Sequence, residues 1–180
     1  MSKNSKNLRL VCLSAMMSAL FAVLDFFSDT VSLPLGNFKI SINGLPILIM
    51  AVFGGPLWGA LTGFVGAFIS QLRWGLEVMT VLWILPEVAR GLVMGLIFLA
   101  LKKSLKPWFL GIGVVASSVV VTLLNTLALI VNYYIYGGKK GVAAILLEMP
   151  GRLALGVVTA VILTLLLPLV VHPLKKIIKV

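Results

Sequence analysis

Three acid–base pairs interrupt an otherwise apolar sequence. Glu87 and Arg90 stand three apart, while Glu148 and Arg152, like Arg73 and Glu77, stand four apart. On a helix, either spacing puts both groups on one face. Charges of this kind are costly in lipid unless they face a protein interior or a wet cavity. Two roles fit them. They line a pocket for an outside solute, with arginine donors left over for a ligand carboxylate. Alternatively, the two Glu/Arg pairs are locks between helices. Asn125 and Asn132 add neutral hydrogen-bonding groups nearby in sequence. Trp74, Trp83, Tyr133, Tyr134 and Tyr136 supply rings that stack on a flat heterocycle or form an interfacial belt.

Catalytic chemistry has no comparable signal. The sequence contains no phosphate-binding Gly-rich loop, no His-Glu-x-x-His and no nucleophile elbow. The single histidine, His172, sits beside Pro173 and reads as an interface residue. One cysteine, Cys12, excludes an intrachain disulfide and a multi-cysteine metal site. It reads as a small packed residue. No metal, cofactor or enzymatic activity is expected.

The elements that must position these groups are membrane helices. The chain has 180 residues, 61% hydrophobic and only 11% charged. A soluble domain is nearer half apolar and a quarter charged, and one core of this size cannot hide such an excess. A basic start leads into the first apolar run, but that run continues into Asp25 and Asp29 and more follow. It therefore reads as a first span rather than a cleavable signal. Apolar stretches predict six transmembrane helices in one all-α domain covering 1–180, at about 10–27, 42–53, 57–71, 86–101, 108–131 and 150–171. Gly54-Gly55-Pro56 splits the second from the third. Pro86 suits the first turn of the fourth, leaving 72–85 as a loop or re-entrant segment. Residues 132–148 read as a loop.

The formal net charge of +10 sorts along this layout. Lys3, Lys6 and Arg9 precede the first span, Lys102, Lys103 and Lys106 follow the fourth, and Lys175, Lys176 and Lys179 end the chain. The positive-inside rule puts these clusters, and both termini, in the cytoplasm. The positive charge is thus a topology signal rather than a nucleic-acid footprint. The acid–base pairs, Asn125 and Asn132 then fall on the outer side. Small residues supply the remaining pattern. Ala15, Ala19 and Ala22 form a stripe on the first span, and Gly59, Gly63 and Gly66 form one on the third. Either lets another helix approach closely.

With six spans, both ends inside, Ala15-x-x-x-Ala19 and Gly55-Pro56-Leu57-Trp58-Gly59, the chain resembles the S components of energy-coupling factor (ECF) transporters, most of all the folate and pantothenate branch. That resemblance covers nearly the whole chain. It implies a bacterial plasma-membrane subunit that captures a water-soluble vitamin or precursor. The pocket would be built from the outer halves of the helices and their loops. Asn37, Lys39, Asn43, Arg73, Trp83, Glu87, Arg90, Asn125, Asn132, Tyr136 and Arg152 are the substrate-binding candidates. Ala15, Ala19 and Ala22 would dock onto a T component that carries two ATPase subunits, where ATP is hydrolysed. Three arginines near the outer face lean toward an anionic ligand such as folate or pantothenate, with cobalamin, a queuosine precursor, hydroxymethylpyrimidine and riboflavin as the alternatives. A stand-alone secondary transporter or channel is the competing reading, and a membrane enzyme a weaker one.

Overall fold

Gly55 divides the apolar stretch 42–71, and it does so by backbone geometry. In the computed structural model its φ is +88°, a left-handed region that favours glycine, and Pro56 occupies the first turn of the next helix. The structure describes residues 3–30, 42–75, 77–137 and 141–177. Among them the elements are all helical: α1 (Lys3–Thr30), α2 (Leu45–Gly54), α3 (Pro56–Leu72), α4 (Val78–Ala100), α5 (Pro107–Tyr136), α6 (Val142–Leu147) and α7 (Met149–Ile177). Four stretches are long and apolar enough to cross a membrane, lying within α1, α4, α5 and the α6–α7 segment. The shorter α2 and α3 are apolar as well.

Three stretches differ from the sequence expectation: the start of α4, the end of α5, and 132–148, expected as a loop, where α6 forms a short helix after Gly141. α4 begins at Val78 rather than Pro86, so 78–85 is helix and not loop. A capping box starts it. The Glu77 side chain accepts the Thr80 N–H, and the Thr80 hydroxyl accepts the Glu77 N–H at 3.0 Å. Pro86 lies inside the helix, as prolines in membrane helices often do when neighbouring groups make good the lost bond. α5 runs on to Tyr136, which puts the three tyrosines on its last turns. Gly137, at φ +61°, ends it with its N–H on the Tyr133 carbonyl.

α2 is the hub. Every residue from Pro46 to Val52 is buried. Leu48, Ile49, Ala51 and Val52 pack with Met94 and Phe98 of α4, Leu110 and Val114 of α5, and Leu163 and Leu167 of α7. A smaller cluster joins Phe21, Ile47, Ala67 and Ile84. The glycine stripe on α3 packs inside the bundle. Gly59 abuts Ala51 and the Gly91 carbonyl, Gly63 abuts the Glu87 backbone, and Gly66 abuts the Phe21 ring. Side chains there would hold the backbones apart.

α1 packs on α3 through its serines rather than its alanines. The Ser14 and Thr62 hydroxyls meet at 2.8 Å, and Ser18 donates to the Thr62 carbonyl at 3.2 Å. Ser14, Ser18 and Phe21 form the buried stripe, while Ala15 and Ala19 are exposed and Ala22 is half-buried. Cys12 is exposed too, rather than packed.

The pairings fix helix directions. Ser14 meets Thr62 and Asp25 meets Arg73, so α1 and α3 run parallel. The starts of α1, α3 and α5 and the ends of α2, α4 and α7 therefore share one end of the bundle. Arg9, Lys102, Lys103, Lys106 and Lys175 lie there. The opposite end holds the acid–base groups.

Candidate ligand-binding site

A cavity of about 940 Å³ opens at the end away from the basic clusters. α1, α3, α4, α5 and α7 supply its walls, together with Asn43 from the turn before α2. Its size falls in the range of small-molecule sites.

One wall is charged. Arg90 is only 8% exposed. Its Nε donates to Glu87 Oε2 at 2.7 Å and its Nη2 to Oε1 at 3.2 Å, a two-pronged pair that fixes the guanidinium plane. Its Nη1 lies under the Gly44 backbone. Glu87 stands behind Arg90 and is not itself a lining residue. Arg152, on the first turn of α7, donates to Glu148 at 3.1 Å. Within each Glu/Arg pair, acid and base thus meet inside one local stretch of chain.

The tie between helices is a different pair. Arg73, at the end of α3, donates through Nη2 to Asp25 Oδ2 of α1 at 2.9 Å. Its guanidinium also lies over the Phe26 ring, 5.8 Å from the centroid, and the Trp74 ring at 5.4 Å. Asn43 donates to Asp25 Oδ1 at 2.7 Å. Asp25 therefore joins three helix ends at the cavity rim.

The facing wall is neutral. Ser118, Thr122, Asn125, Leu129 and Asn132 recur on one face of α5, with Leu155, Gly156 and Thr159 beside them on α7. Thr122 donates to the Ser118 carbonyl at 2.9 Å. Ser118 Oγ is buried and, among the described residues, has no hydrogen-bond partner. Met79, Thr80 and Trp83 complete the floor from α4.

Of the expected substrate-binding residues, Asn43, Arg73, Trp83, Arg90, Asn125, Asn132 and Arg152 come together around this cavity. Tyr136 is half-exposed on the last turn of α5 and is not part of the lining. Asn37 and Lys39 lie outside the described residues. Sequence reasoning passed over Asp25, Gln71, Ser118, Thr122 and Thr159 as lining residues. An acid inside an apolar span was a signal in itself. The 118–122–125–129–132 spacing, alternately four and three, marks a single helix face.

Comparison with known proteins places this arrangement. ThiT from Listeria monocytogenes, a solved structure, superposes with a TM-score of 0.69 over 95% of this chain and 97% of that one, at 19% sequence identity. The two chains share a fold. No curated protein matches in sequence. Residues 9–178 match the family described as ECF transporter, substrate-specific component. The chain, an integral membrane protein with a polar cavity at one end of an apolar bundle, belongs to the substrate-specific components of ECF transporters.

Proposed function

We propose that this subunit captures a carboxylate-bearing vitamin or precursor, of the folate or pantothenate kind, from outside a bacterial plasma membrane. It crosses the bilayer six times with both termini in the cytoplasm, the short α2 and α3 counting as spans shielded by the bundle. It delivers its ligand by docking onto a T component with two ATPase subunits, where ATP is hydrolysed.

The observation that supports this reading is the buried Arg90 at the cavity wall, with Arg73 and Arg152 on the same lining. The acids on that lining are already committed. Asp25 holds Asn43 and Arg73, and Glu77 caps α4. Arg152 uses one donor on Glu148 and keeps others. A ligand carboxylate therefore meets spare guanidinium donors. Trp83 offers a face for a ring or an apolar segment.

Mass spectrometry of small molecules carried through purification tests the reading, followed by titration with folate and pantothenate. Tight binding of one of them without ATP is expected. Recovery of a cationic vitamin, with no binding of either acid, overturns the anionic assignment. Ion-coupled uptake into liposomes by this chain alone overturns the subunit assignment in favour of a secondary transporter.

A further inference from the structure

A second cavity, of about 420 Å³, lies at the opposite, basic end of the bundle. Its apolar floor is Val52 and Phe53 of α2 with Phe98, Leu99 and Leu105. Lys103 and Lys175 stand at its mouth, from the α4–α5 turn and the end of α7. Gly55 and Pro56, the start of α3, form another wall. That start has no side-chain cap, so the positive end of the helix dipole adds to the field of the two lysines. Among the described residues, no acid lines the cavity.

The backbone at the mouth is unusual. Lys102 and Lys103 are both left-handed, with φ of +56°, the only non-glycine residues so placed among those described. The turn is held by Lys102 N–H on the Leu99 carbonyl and Lys103 N–H on Phe98. Glycine would take that conformation without strain. Lysine instead carries a cation to the cavity rim. Trp108, 80% exposed on the first turn of α5, sits at this end as an interfacial anchor would.

We infer that this cavity binds the headgroup of an anionic phospholipid. The phosphate would sit between Lys103 and Lys175, and the upper acyl segment would lie against Phe53, Phe98 and Leu105. Charge complementarity selects the occupant: two cations and a helix start, with no acid among the described lining residues to receive a cationic group. The apolar floor, at the end of a membrane bundle, selects a lipid over a free anion. The inference needs only that the chain spans a bilayer. It does not depend on which vitamin the other cavity takes.

Native mass spectrometry of the protein released from nanodiscs holding equal phosphatidylglycerol and phosphatidylcholine tests it. One retained phosphatidylglycerol is expected, favoured about tenfold over phosphatidylcholine. The Lys103→Gln/Lys175→Gln pair should remove that preference. A Lys102→Gln/Lys106→Gln pair, outside the lining, should keep it. Leu105→Trp fills the cavity without changing charge and should also remove it. If thermal unfolding shows that Leu105→Trp does not fold, the two lysine pairs decide. Equal loss in both pairs means a diffuse surface charge and overturns the site. So does unchanged preference in Lys103→Gln/Lys175→Gln. Displacement of the lipid by millimolar glycerol 3-phosphate or inorganic phosphate makes it a soluble-anion site and overturns the lipid assignment. Loss of partner subunits with lipid retention unchanged makes it a protein-docking surface and overturns it equally.

Discussion

Gly44 roofs Arg90. A Cβ on Gly44 would lie 2.8 Å from Arg90 Nη1 and 2.9 Å from Cζ. The guanidinium cannot simply retreat, because Nε and Nη2 are held by Glu87. The turn before α2 and the acid on α4 thus position one cavity cation from two sides. Gly44→Ala should move Arg90 and lower affinity for the captured vitamin about tenfold, the scale of one charge-assisted hydrogen bond. Arg90→Ala should do at least as much, with expression retained. Isothermal titration of each variant checks this. Wild-type affinity in Gly44→Ala would show that the position of Arg90 is immaterial to binding.

The α3–α4 seam predicts a ranking of glycine substitutions. A Cβ on Gly91 would run into the Gly59 backbone, where no flexible side chain can give way. Gly91→Ala should cost about 1–3 kcal/mol through overpacking. Gly55 has open space around it but a φ of +88°, so Gly55→Ala should cost about 1–2 kcal/mol through backbone strain alone. Gly141 has neither problem, with open space and a φ of −64°. Gly141→Ala should be neutral or slightly stabilising. Thermal unfolding in detergent gives the order, and a Gly91→Ala as stable as Gly141→Ala would refute tight packing at the seam.

What could be read from the sequence was what acts locally. Gly54-Gly55-Pro56 ends one helix and starts another because φ freedom and the missing proline N–H are properties of those residues themselves. Pro86 misled by the same logic. Inside a membrane bundle its lost hydrogen bond is tolerated, and the Glu77–Thr80 capping box starts α4 eight residues earlier. Arg90 and Arg152 could be paired with their own acids because those lie within one helical turn. Arg73 could not. Its acid is Asp25, 48 positions away on another helix, rather than the nearby Glu77. The α1 alanines were legible as a stripe, but which side of the helix meets α3 depends on Thr62, which no local pattern singles out.

Asp25 and Arg73 should be energetically coupled. The pair is about a quarter exposed at both ends, so solvent screens it in part. The rings of Phe26 and Trp74 shield the guanidinium and hold it in place. A double-mutant cycle of Asp25→Ala and Arg73→Ala should give a coupling of about 1 kcal/mol. Asp25→Ala alone should cost more than Arg73→Ala, because it breaks the Asn43 hydrogen bond as well as the ion pair. Additive losses in thermal unfolding would show that the contact ties nothing together.

The two faces of α1 should separate folding from assembly. Ser14 and Ser18 are buried against Thr62, so a large side chain at Ser18 has nowhere to go. Ser18→Trp should destabilise the bundle by more than about 2 kcal/mol. Ala15 and Ala19 point away from that contact and are exposed. Ala15→Trp and Ala19→Trp should leave thermal stability and vitamin binding unchanged. Each adds an indole to a stripe of small side chains, which would hold an approaching helix away from the α1 backbone. Co-purification with the T component and ATPases, and vitamin uptake by the assembled transporter, should therefore fall at least tenfold in both variants. Normal assembly and uptake in both would remove α1 as the docking face and leave its exposed side to lipid.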